Sequence, residues 1–196
     1  MIKTKTTEQG KAAIASAIAG KKLTFTRFAI GDGYDLDDAP EKKTALSNEL
    51  FSVGVSSLKD NGDGTVTVEG VFSSNDTARA FYYREVGLYA TVSDDDSADS
   101  DSGDADTPTP VLILYGNAGQ AAEYIPAWAD ESTDSDDSDS GEEEKDTYVE
   151  KRISFRIVVV NTAKITARIE SAAFATKAYV DTLVADLQAQ INELKK

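Results

Sequence analysis

The chain has 196 residues and contains neither cysteine nor histidine. That excludes disulfides, thiolate nucleophiles, Cys- or His-ligated zinc and the commonest general base. Its net charge of −15 is local: residues 93–109 hold seven Asp and no base, residues 129–146 hold ten acids and one Lys, and the remainder stands at +1. A near-neutral body with two acidic inserts is not a halophile surface. With no basic stripe, it predicts no nucleic-acid partner. Met1-Ile-Lys-Thr-Lys5 is not followed by an apolar run, and no apolar stretch approaches a membrane span. We therefore expect no signal peptide, no membrane insertion and synthesis in the cytoplasm.

In chain order, Thr7–Gly20 predicts a helix. Thr6 or Thr7 serves as cap, alanine is frequent, and Gly20 stands at the stop. Its apolar face (Ile14, Ile18 and alanines) is small enough to lie close on a sheet. Leu23–Ile30 alternates as a strand, and Gly31-Asp-Gly33 ends it with glycines suited to positive φ. Asp35–Asp38 with Pro40 reads as a loop, and Lys42–Leu50 as a short helix. Phe51–Leu58 and Thr65–Phe72 alternate around Asp60-Asn-Gly-Asp-Gly64, which predicts a hairpin.

Phe81–Val92 and Val111–Asn117 are the next strands, with the first acidic insert in place of their turn. Gln120–Trp128 reads as irregular. Ile153–Asn161 and Ala163–Glu170 read as two strands around a turn at Asn161-Thr162. Beyond them, Val180, Val184, Leu187, Ile191 and Leu194 recur by four, three, four and three, the spacing of a coiled-coil seam. The sum is an α+β fold: about seven strands, mostly antiparallel, with an N-terminal helix and a C-terminal coiled-coil helix. Residues 1–174 form one domain with inserts at 93–109 and 129–146, and residues 175–196 form the coil.

Five local patterns occur in order: Phe28-Ala-Ile-Gly-Asp-Gly33, Arg84-Glu-Val-Gly-Leu-Tyr89, Tyr115-Gly-Asn117, Glu123-Tyr-Ile-Pro126 and Ala175-Thr-Lys-Ala-Tyr-Val-Asp181. Together they resemble the N-terminal domain of phage tail-collar fibre proteins, from contractile-tailed phages and phage-tail-like bacteriocins. The resemblance implies a non-enzymatic virion protein that joins a tail fibre to the baseplate, usually as a trimer followed by a shaft and tip. Here the chain ends about two heptads after Val180. That favours attachment, or adaptation of another fibre, over receptor binding. Parallel-coil rules favour two strands for Val and Ile opposite Leu, whereas the resemblance implies three. A homotrimer with Val184, Leu187 and Ile191 on its axis is expected.

The remaining patterns have competing readings. Arg84 and Glu85 are strand neighbours and must point to opposite faces. They form an in-sheet ion pair or a loop-end hydrogen bond, or, as the resemblance suggests, contact another subunit or the baseplate. Tyr89 and Tyr124 join them as candidate interface residues. Gly31-Asp-Gly33 lacks the Gly-Lys-Ser/Thr of a phosphate-binding loop and is read as a turn. Asp99-Ser-Asp-Ser-Gly103 and Asp137-Ser-Asp-Ser-Gly141 alternate carboxylates, but each glycine comes one residue early for an EF-hand. They are solvated spacers, or Ca²⁺-binding loops of a secreted or surface interaction module. No catalytic residue, resident metal or cofactor is expected.

Overall fold

The computed structural model describes residues 2–34, 39–76, 79–94, 108–127, 149–160 and 162–169. Strand β1 (Lys3–Thr6) leads into helix α1 (Glu8–Ile18), and β2 (Lys22–Gly31) follows. Thr7 starts the helix in extended geometry, and its hydroxyl accepts the Gly10 N–H at 2.8 Å. The same hydroxyl donates to the Leu112 carbonyl, and the Thr7 N–H donates to the Ile113 carbonyl at 3.0 Å. The cap therefore also fastens the helix to the sheet. The helix lies so close that a Cβ on Gly10 would overlap the Ile113 carbonyl. Ala13 and Ala17 fill the rest of its buried face.

The larger sheet has six strands. Its path runs β1, β8 (Val111–Asn117), β7 (Glu85–Ser93), β2 and β11 (Ile165–Ala167), and β3 (Glu49–Gly54) also pairs with β2. Two strands share one edge of β2. β11 runs parallel to Leu23–Phe25, and β3 runs antiparallel to Arg27–Gly31. A second sheet has the order β10 (Glu150–Val158), β5 (Thr65–Ser73), β4 (Ser57–Asp60). A third pairs β6 (Phe81–Tyr83) with β9 (Glu123–Ile125).

The main core lies where α1 and the three-stranded sheet meet the larger sheet. Phe25, Phe28, Leu88 and Ile113 pack there with Val68, Phe72, Ile153 and Ile157. Phe28 sits over Gly70 and against Phe155, with ring centroids 5.6 Å apart. Its burial contributes roughly 2–3 kcal/mol. A smaller cluster, Ala29, Leu46, Tyr89, Leu112 and Tyr115, forms a second body of packing. The loop carrying Leu46 supplies its lid over Gly87, where a Cβ would meet Leu46 Cδ1 at 2.6 Å.

Several expectations need correction. The fold is mostly antiparallel β, with one α-helix among the described residues, rather than α+β with a helix at each end. The physical reason is that α1 is a single short layer on extensive sheet. Residues 175–196, where a coiled-coil helix carrying Val180, Val184, Leu187, Ile191 and Leu194 was expected, lie outside the described residues, as does nearly all of both acidic inserts. Residues 42–50 hold no α-helix; a 3-10 turn at Pro40–Lys42 is followed by bends and then β3. Residues 120–128 include the short strand β9.

Three stretches read as single strands or hairpins each change partners midway. Phe51–Leu58 divides into β3 and β4, on different sheets, so only β4 and β5 make the expected hairpin. Phe81–Val92 divides at Arg84 into β6 and β7. β10 and β11 are not a hairpin either. The amides of Val159 and Val160 both donate to the Gly64 carbonyl at 2.9 Å, and Val160 takes φ 59°. That left-handed turn at a β-branched residue costs about 1–3 kcal/mol. It sends the chain away to β2.

Candidate functional site

The break at Arg84 is where the sequence patterns meet. β7 begins with Glu85, whose side chain is fully buried. Its Oε2 accepts the N–H groups of Gly33 at 3.1 Å and Asn48 at 2.9 Å. Its Oε1 accepts the Ser47 N–H at 3.0 Å and the Tyr115 hydroxyl at 2.6 Å. Two donors per oxygen is what a buried carboxylate needs in place of water. The glycines make room for it. A Cβ on Gly33 would overlap Glu85 Oε2 and lie 2.7 Å from Cδ, and one on Gly31 would overlap the Asn48 carbonyl. Neither glycine has positive φ. Their role is close approach, not the turn conformation expected from the sequence.

Arg84 faces the other way. Its backbone N–H donates to the Gly31 carbonyl at 3.1 Å, and its carbonyl accepts the Ala118 N–H at 2.8 Å. Its guanidinium donates from Nε to the Gly119 carbonyl and from an η nitrogen to the Asp32 carbonyl, both at 3.0 Å. Asn117 completes the ties. Its Nδ2 donates to the Gly33 carbonyl at 3.0 Å and the Tyr115 hydroxyl at 3.2 Å, and its Oδ1 accepts the Gly119 N–H at 2.7 Å. Four chain segments, at 31–33, 47–48, 84–85 and 115–119, are thus knotted by two adjacent side chains. Arg84 and Glu85 diverge, as strand neighbours must, but form no ion pair with each other.

Outside the knot lies a cluster of tyrosines. The Arg84 guanidinium sits 5.3 Å from the Tyr34 ring centroid and 5.5 Å from that of Tyr82. Tyr82 packs edge-on against Tyr124, with centroids 5.4 Å apart. The three rings are about half exposed, at 48%, 51% and 56% for Tyr34, Tyr82 and Tyr124. Of the expected interface residues, the structure places Tyr124 on the surface. Glu85 is inside, and Tyr89 is buried beneath the Arg27 guanidinium, 4.1 Å above its ring. Tyr34 and Tyr82 escaped sequence reasoning; the aromatic run Phe81-Tyr-Tyr83 beside Arg84 was the available signal.

Burial holds the Tyr115 phenol well above its ordinary pKa, and its hydrogen bond to Glu85 adds to the rise. Burial raises Tyr83 likewise, with the nearby Glu123 charge contributing. Among the described residues, no three His, Cys, Asp or Glu side chains gather as metal ligands, and no helix is long and apolar enough to cross a membrane. The Ca²⁺ reading rested on residues outside the described ones.

Comparison with curated proteins and with solved structures gives no match. A family model described as "phage tail-collar fibre protein, N-terminal" matches residues 1–96. The matched segment holds the Gly31–Gly33 and Arg84–Tyr89 parts of the knot, while Tyr115, Asn117 and Tyr124 come from beyond it. That family is one of structural phage tail fibre proteins, and residues 1–96 are similar to its N-terminal domain.

Proposed function

We propose that the chain is a non-enzymatic component of a phage tail fibre or collar that oligomerises, as a trimer, and attaches fibres to the baseplate. The observation that carries this reading is the family match together with the knot at the motif residues. The knot is a rigid device: every polar group of Glu85 and Arg84 described above is engaged by backbone or phenol. Glu85 is sealed from any substrate, and Arg84 is held by two carbonyls, which supports a motif that serves shape rather than chemistry. What it holds in place is the Tyr34–Tyr82–Tyr124 surface. Half-exposed tyrosines beside an arginine are the residue types that anchor protein interfaces. The runner-up, a secreted or surface interaction module with Ca²⁺-binding acidic loops, rests on the alternating carboxylates of the two inserts alone.

The test is localisation and mass. Antibody raised against the chain should decorate purified particles at the tail, by electron microscopy. Light scattering of the purified protein should give three chains. Label absent from particles in cells that make the chain would overturn the tail assignment. A mass of one or two chains would overturn the trimer alone.

A further inference from the structure

A groove of about 420 Å³ runs beside β10 and is lined by Tyr83 and Glu123, the strand neighbours of Tyr82 and Tyr124. Five consecutive residues, Lys151–Phe155, line it. Side chains alternate between the two faces of a strand. A lining that takes successive residues is therefore the strand's edge. No β5 residue lines the groove, and β5 pairs with the other edge of β10, so the groove follows the edge that carries no partner among the described residues. The opposite wall is mostly apolar, with Ile2, Tyr83 and Val86, and it includes Glu123. Lys151 holds Glu123 at 2.5 Å, and Arg152 adds a second cation.

We propose that this edge accepts an extended strand from a partner protein, with acidic side chains on one face and apolar side chains on the other. Backbone pairing to β10 would supply affinity, as in other strand-addition sites. The apolar face would meet Phe155, Tyr83 and Val86. The acidic face would meet Arg152, which is exposed along with Ser154, while Arg156 on the same face is already paired with Asp63. A second copy of β10 is the poorer occupant. Antiparallel self-pairing centred on Ser154, the register that uses the whole strand, sets Arg152 against the Arg156 of the other copy, whose guanidinium is already held by Asp63, so a second copy offers Arg152 no counter-charge there.

The experiment uses the full chain and two end-blocked peptides, alternating Val-Glu and alternating Val-Lys. Amide hydrogen exchange should slow across residues 151–157 with the Glu peptide. Arg152→Glu is a surface change with little expected effect on folding. It should weaken binding of the Glu peptide by about fivefold and reverse the preference toward the Lys peptide. Equal binding of both peptides by the unaltered chain, or no slowing at β10, would overturn the proposal. So would concentration-dependent protection of β10 without peptide, which would assign the edge to a second copy. Tyr82→Ala should leave peptide binding unchanged, so this groove and the tyrosine surface fail or stand separately.

Discussion

The two sides of the Arg84–Glu85 step use the same local chain for opposite ends. On the inner side a carboxylate is sealed among four donors and two glycines, and nothing of it reaches solvent. On the outer side a guanidinium donates to two carbonyls and lies against two of three tyrosine rings that stand half in water. The inner side fixes where four segments meet. The outer side also ties the segments at 31–33 and 117–119, through the bonds that Arg84 makes to Asp32 and Gly119. Residue 85 thus acts wholly inside the fold, while residue 84 both ties segments together and lies against exposed rings.

The division can be attacked from each side. Glu85→Gln should have the largest effect. Whichever way the amide is turned, its NH₂ faces a pair of donors, so at least one N–H is left buried without an acceptor. We expect a loss of about 3–5 kcal/mol by urea denaturation. A loss under about 1 kcal/mol would mean the cradle is not what holds the segments together. Gly33→Ala attacks the same cradle by volume, through overlap with the carboxylate. About 1–3 kcal/mol is expected, and the effect should be smaller in a Glu85→Ala background, where the overlap with the carboxylate is gone and only the 2.9 Å approach to the Asn48 nitrogen remains.

Alkaline titration should come next. Tyr115 and Tyr83 are raised in the folded state, so the native protein keeps protons that the unfolded chain gives up above about pH 10. Stability from these phenols is complete below pH 10 and is lost as pH rises beyond it. Tyrosinate absorbance should show both rings silent until the protein unfolds. Tyr115→Phe should flatten part of the fall in stability above pH 10. Smallest in stability is Tyr82→Ala with Tyr124→Ala, within about 0.5 kcal/mol of the parent. Particles carrying it should nonetheless lose attached fibres in electron micrographs. Unchanged attachment would remove these rings from the interface.

The parts legible in the sequence were those governed by local rules. The Thr7 cap, the Gly20 stop, the alternation of β2, the extended run of β8, and the Asp60–Gly64 turn were all visible. The turn closes as its residues suggest: Asp60 accepts the Gly62 N–H at 2.8 Å, and Gly62 and Gly64 take φ of 75° and 78°. What alternation does not record is the partner. Phe51–Leu58 stays extended while leaving one sheet for another, so its pattern never falters where the pairing changes. β1 was missed for the converse reason. Lys3-Thr-Lys-Thr6 has no apolar side chain and is a strand because β8 offers it an edge. The sequence also indicated correctly that Arg84 and Glu85 diverge. It held no means of showing that their partners lie at 31–33, 47–48 and 115–119, since those contacts are set by tertiary closure.

The shared edge of β2 has a consequence for the order in which the molecule is made. Thr24 bonds through its hydroxyl to Thr166 at 2.8 Å, across 142 residues. β8, the partner of both β1 and β7, starts at Val111, beyond the family-matched segment. A ribosome that has released the first 96 residues has therefore released a sheet lacking its second, eighth-strand seam and the parallel strand that closes β2. Such high contact order slows folding, because distant segments must be brought together before their pairing is rewarded. The nascent chain waits with open strand edges until residue 167 emerges.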